Sequence, residues 1–191
     1  QMCIRDSVYI ESEENKFKKT AYEALSYGKA LADKMGSKVS GLVINCSDTD
    51  GLKKYGADKI ITIDNPDFQK FSSKKYSHAI AEVIKSENSS VVILSSSANS
   101  KFIGAHLSGI TDAAYVSNVV GIPESISPFV IKRTCFTNKA FSSTEMIDGL
   151  KIISVSSNSF GMIENFNDSG VESFNPEKVD SNQKIINIEK E

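Results

Sequence analysis

The chain has 191 residues, 40% of them hydrophobic and 24% charged, which suits one soluble globular domain with a sizeable core. A formal net charge of −2 leaves no electrostatic footprint for nucleic acid. No apolar run approaches the roughly 20 residues of a membrane span, so membrane insertion is not expected.

The segment Met2-Cys3-Ile4-Arg5-Asp6-Ser7 joins awkwardly to Val8-Tyr9-Ile10, so residues 1–7 read as a non-native leader. Val8-Tyr9-Ile10 is a short strand ending in the polar loop Glu11-Ser12-Glu13-Glu14. Thr20 is placed to cap a helix carrying Ala21, Ala24, Leu25, Gly28, Leu31, Ala32 and Met35, a spacing that gives one small apolar stripe. Gly36 supplies the stop. Val39 to Ile44 is a second strand, interrupted by Gly41. Leu52 to Tyr55 is a short helix ending at Gly56, and Ile60 to Ile63 is a third strand. Asn65-Pro66-Asp67 is a turn, and Tyr76, Ala79, Ile80, Val83 and Ile84 mark the next helix.

Val91-Val92-Ile93-Leu94 reads as a buried parallel strand that stops at Ser95-Ser96-Ser97-Ala98-Asn99-Ser100. A helix near 100–109 and a strand from Tyr115 to Val120 follow. Alternating strands and helices imply βαβ units and a doubly wound, mainly parallel sheet. After Pro123 the helices cease. Phe129 to Cys135, Lys139 to Met146 and Leu150 to Val155 then read as an antiparallel β addition, with Asp148-Gly149 as a hairpin turn. From about Asn158 the apolar periodicity fades. The stretch from Asn165 to Asn182 is too polar to offset its ordering entropy and reads as a linker, with a last short strand over 184–188.

Functional residues are sparse. Ser95, Ser96, Ser97 and Asn99 sit where a strand hands over to a helix, and hydroxyls with helix-start N–H groups suit phosphate. The same residues also suit an ordinary helix cap. No glycine-rich phosphate loop is present. His78 and His106 are far apart in the chain and have no Asp, Glu or Cys at ligand spacing. Cys3, Cys46 and Cys135 are odd in number and dispersed, which argues against zinc and against a disulfide framework. Arg133 lies in the apolar run Phe129-Val130-Ile131-Lys132-Arg133, where a guanidinium suits a partner carboxylate or simply solvent. With Phe136 and Phe141 it forms the candidate interface.

Several segments, in this order, resemble the N-terminal domain of the electron-transfer flavoprotein α subunit. They are Glu23-Ala24-Leu25 leading to Ala30-Leu31-Ala32, then Tyr55-Gly56-Ala57-Asp58-Lys59, the serine turn with its helix, and Arg133 to Ala140. The resemblance covers about residues 8–160, which leaves 161–191 as a polar linker. His106 stands where the family has an arginine, and Ala114-Tyr115-Val116-Ser117-Asn118 departs from the family's Gly-Leu-Val-Ser/Thr-Asp. The resemblance implies an adenine-nucleotide-α-hydrolase-like fold and a scaffold role beside a β subunit. It implies electron transfer from flavin dehydrogenases to a quinone oxidoreductase through one FAD, with no catalysis by this domain. The FAD domain is expected to lie outside this chain, and no FAD is expected to bind here. The compartment implied is the bacterial cytoplasm or the mitochondrial matrix. The alternative is a nucleotide-binding module resembling universal stress proteins.

Overall fold

The structure, a computed structural model, describes residues 5–181 and 186–187. Its strands are β1 (Arg5–Ile10), β2 (Ser12–Glu13), β3 (Lys16–Phe17), β4 (Lys38–Ile44), β5 (Lys59–Ile63), β6 (Ser89–Ser95), β7 (Ala114–Val119), β8 (Ser125–Ile126), β9 (Phe129–Cys135), β10 (Ala140–Met146), β11 (Lys151–Val155) and β12 (Gly170–Ser173). The α-helices are α1 (Lys19–Met35), α2 (Ser73–Glu87) and α3 (Ala98–Thr111). The main sheet runs β10-β9-β7-β11-β6-β1-β4-β5-β12, with β8 paired to β9. It is parallel from β7 to β12 and antiparallel from β7 out to β10.

Strand alternation explains the two layers. Val8, Ile10, Val91, Ile93, Ile153 and Val155 face α1, whereas Tyr9, Val92, Leu94 and Ile152 face the layer of α2 and α3. Both faces are covered, so the central strands are apolar throughout. The stripe on α1 lies flat on β1, β4 and β6 because Gly28 permits close approach. A Cβ there would meet Val8 Cγ2 at 2.5 Å. Gly36, at φ +68°, ends α1 as the sequence predicts.

Four expectations are corrected. The first strand begins at Arg5, not Val8. Asp6 and Ser7 are buried and paired in register with Val39 and Ser40, so residues 5–7 belong to the fold. Helix α1 begins at Lys19 after Lys18, so Thr20 is inside it and not its cap. Third, β11 is not in the antiparallel addition. It inserts between β6 and β7, parallel to both, and Asp148-Gly149 therefore turns the chain back into the central sheet. Its sequence Lys151-Ile152-Ile153-Ser154-Val155 is apolar on both faces, the signature of a central parallel strand.

The polar stretch after Asn158 is the fourth. It is ordered as a strap over residues 156–174. Glu23 accepts the backbone N–H groups of Asn158, Phe160 and Gly161, at 2.9, 2.8 and 2.9 Å. The peptide groups of Asn165 and Asn167 donate to Lys54 and Lys53, and β12 then adds to β5. Backbone hydrogen bonding supplies what apolar burial does not. Most of the strand expected over 184–188 lies outside the described residues.

Candidate functional site

The carboxyl end of the parallel sheet is the place to seek ligands in such a fold. There β6 ends at Ser95 and α3 begins. Ser97 is extended (φ −65°, ψ 163°) and its hydroxyl accepts the Ser100 N–H at 3.0 Å, a regular N-cap. Ser95 and Ser100 are fully buried. Their hydroxyls donate to Glu11 Oε2 at 3.1 and 3.3 Å. Glu11 follows β1 and is 2% exposed; Lys18 Nζ lies 3.2 Å from its Oε1. Burial pulls the Lys18 ammonium down, but Glu11 and Glu13 outweigh this and hold it above the usual lysine range. Ser96 pairs with Ser157 at 3.1 Å, and Asn99 is half-buried in the first turn of α3.

The serine turn is thus a structural junction. Its buried hydroxyls are directed at a resident carboxylate, and a phosphate entering there would meet that negative charge. The donor set does not fit a nucleotide diphosphate or the pyrophosphate of a flavin. Sequence reasoning missed Glu11, which looked like one acid among several in a polar loop. Its position directly after a buried strand was the available signal.

His78 on α2 and His106 on α3 come together, rings edge to face with centroids 6.3 Å apart. Distance in the chain concealed the pair, which arises because α2 and α3 pack side by side. Among the described residues no group of three or more His, Cys, Asp or Glu could hold a metal ion. Cys46 is buried and Cys135 half-buried, both as free thiols. Cys3 lies outside the described residues. No helix among the described residues is long and apolar enough to cross a membrane.

The antiparallel margin is the other candidate. Phe129 and Ile131 of β9 are buried in the core, at 5% and 0% exposure. Phe136, in the β9–β10 turn, is 80% exposed and Phe141 is 64% exposed. Lys132 Nζ stands 4.5 Å from the Phe141 ring centre. Arg133 is half-buried opposite Val119, and its buried Nε has no hydrogen-bond partner among the described residues. Phe141 is registered with Thr134, and Arg133 with Ser142. Arg133 and Phe141 therefore leave opposite faces of the hairpin.

Against known proteins, the electron transfer flavoprotein domain model matches residues 6–182. The chain belongs to the electron transfer flavoprotein family. An acryloyl-CoA reductase electron transfer subunit beta from Anaerotignum propionicum is 31% identical over 90 residues, 46% of this chain and 24% of that protein. A protein FixB from Clostridium saccharobutylicum is 28% identical over 103 residues, covering 52% of this chain and 29% of its own length. An electron transfer flavoprotein subunit alpha from Bacillus subtilis is 25% identical over 134 residues, 69% of this chain and 41% of the relative. The chain thus spans less than half the length of these curated relatives. The family match begins within β1 and continues past residue 160 through β12. It agrees with the mostly parallel α/β sheet and its smaller antiparallel margin.

Proposed function

We propose that this chain is the scaffold domain of an electron-transfer flavoprotein α subunit. It holds the β subunit, and a flavin domain outside the 191 residues rests on that base. Electrons pass from flavin dehydrogenases through one FAD to a quinone oxidoreductase, in the bacterial cytoplasm or the mitochondrial matrix. This domain carries no substrate chemistry of its own. The observation that carries the reading is the family match across 6–182, joined to a sheet margin that presents Phe136 and Phe141 to solvent.

The β9–β10 hairpin is the proposed contact. A monomer gains nothing from two phenylalanines on an exposed turn and edge strand, whereas a partner covering them removes apolar area from water. Arg133 leaves the other face of the hairpin, so its half-buried guanidinium meets a carboxylate of the same partner only where that partner wraps the β10 edge. The rival, a stand-alone nucleotide module, is disfavoured by Glu11, whose carboxylate already takes the Ser95 and Ser100 hydroxyls.

Co-expression with an electron-transfer flavoprotein β subunit from the same genome, followed by light scattering on a sizing column, tests the reading. A one-to-one complex is expected. A chain that stays monomeric beside the β subunit and binds ATP or AMP with a dissociation constant below about 10 μM, roughly 7 kcal/mol, would favour the rival.

A further inference from the structure

Away from both margins discussed so far, the chain leaves β5 and turns through the short helical stretch Pro66–Phe68 before entering α2. The first hydrogen bond at the start of α2 runs from the Tyr76 N–H to the Ser72 carbonyl at 3.0 Å. The peptide N–H groups before Tyr76 thus open toward the helix N-terminus, where the helix dipole favours negative charge. Ser72 has the extended backbone of a cap (φ −142°, ψ 115°), yet its side chain makes no capping hydrogen bond. It is only 7% exposed, and its Oγ is buried with no partner among the described residues. A buried hydroxyl without a partner is unfavourable for the protein alone.

Ser72 lines an open cavity of about 300 Å³ together with Pro66, Asp67, Lys70, Phe71 and Lys75. Two of these are lysines, and the first turn of α2 contains no acidic residue. Asp67 is the acid in the lining. Its carboxylate faces Lys178 at 3.9 Å, and its peptide N–H is taken by Asn65 Oδ1 at 2.9 Å. Lys75 Nζ reaches the Asp67 carbonyl at 3.5 Å, which leaves the ammonium donors to spare. The turn itself is fixed, because the Tyr76 hydroxyl donates to the Phe68 carbonyl at 2.9 Å.

The geometry points to an oxyanion site at the N-terminus of α2, suited to inorganic phosphate or a phosphate monoester. The helix-start N–H groups donate to the oxygens and Lys70 and Lys75 supply the counter-charge; the orphan Ser72 hydroxyl, sealed from solvent in the free protein, joins them by a turn about its Cα–Cβ bond. Phe71 and Pro66 give an apolar wall for the organic part of an ester. The site is distinct from the serine turn, whose hydroxyls are already committed to Glu11.

The test is a titration of the full ¹⁵N-labelled chain at constant ionic strength, with inorganic phosphate in one arm and phenyl phosphate in the other. Saturable shifts confined to the amides of residues 70–76 are expected. Ser72→Ala should weaken binding about threefold and Lys70→Gln with Lys75→Gln about tenfold. Ser72→Ala removes no hydrogen bond within the protein, and the lysine pair lies at the surface, so folding is checked by the rest of the spectrum. Tighter binding of phenyl phosphate assigns the site to esters, and equal binding assigns it to the free ion. Absence of a saturable shift up to 50 mM, on the order of −2 kcal/mol or weaker, overturns the site. So do shifts spread over every surface lysine, or variants that bind like wild type.

Discussion

Glu23 is the fastening of the strap, and replacing it by glutamine is the most discriminating perturbation of the fold. Its Oε1 accepts Phe160 and Gly161 and its Oε2 accepts Asn158, all within 2.9 Å. An amide keeps the size but offers one acceptor oxygen. Whichever way it is turned, its NH₂ faces at least one backbone donor. Hydrogen bonds to a charged group contribute about 1.5–3 kcal/mol each, so Glu23→Gln should cost on the order of 2–4 kcal/mol of strap closure. Burial alone would push the Glu23 carboxyl up, but the N–H groups of residues 158–161 outweigh it and hold it below the usual carboxylate range. A carboxyl depressed in the folded state stabilises fully above its unfolded value of 4.5 and loses that contribution as pH falls through the lower folded value. Hydrogen exchange at pH 7 should therefore show the Phe160 and Gly161 amides about 30- to 1000-fold less protected in Glu23→Gln. The wild type should lose strap protection on acidification while the variant changes little. Equal protection in the two proteins at pH 7, or an acid response retained by the variant, would show that Glu23 does not hold the strap.

Other outcomes follow from equally local causes. Gly28→Ala should destabilise the domain by about 1–3 kcal/mol in urea unfolding, because the new methyl meets Val8 Cγ2 at 2.5 Å between helix and sheet. Glu11→Ala removes the carboxylate that takes the buried Ser95 and Ser100 hydroxyls, leaving them only each other, and leaves Lys18 with Glu13 alone; it should cost about 2–4 kcal/mol by the same measurement. If the β9–β10 hairpin is the partner surface, Phe136→Ser with Phe141→Ser should raise the dissociation constant for the β subunit at least tenfold, about 1.4 kcal/mol, with little change in folding. Arg133→Glu should weaken the same complex through charge reversal, read by calorimetry.

Much of the parallel core is legible in the sequence because periodicity reports burial directly. Val91 to Leu94 reads as a strand covered on both faces, and the α1 stripe as one lying against a sheet, and both do so. Placement of β11 was not legible. A strand after an Asp-Gly turn looks like the return arm of a hairpin, and only its two-sided apolar pattern marks it as central. The strap escaped for a different reason: backbone N–H groups and the buried carboxylate of Glu23 hold it, and neither leaves a hydrophobic signature. At the serine turn the helix cap was foreseeable from residue types. The carboxylate that closes the turn comes from Glu11, far away in the chain, and hydroxyl-rich composition alone cannot distinguish a phosphate cradle from hydroxyls already engaged.

If this domain is a scaffold, it binds a β subunit through its antiparallel margin. Hydrogen exchange on the chain alone and in mixture with that subunit tests it most directly. Added protection concentrated in residues 129–146, with the serine turn unchanged, is the expected result. A mixture in which residues 129–146 exchange as they do in the isolated chain would contradict it.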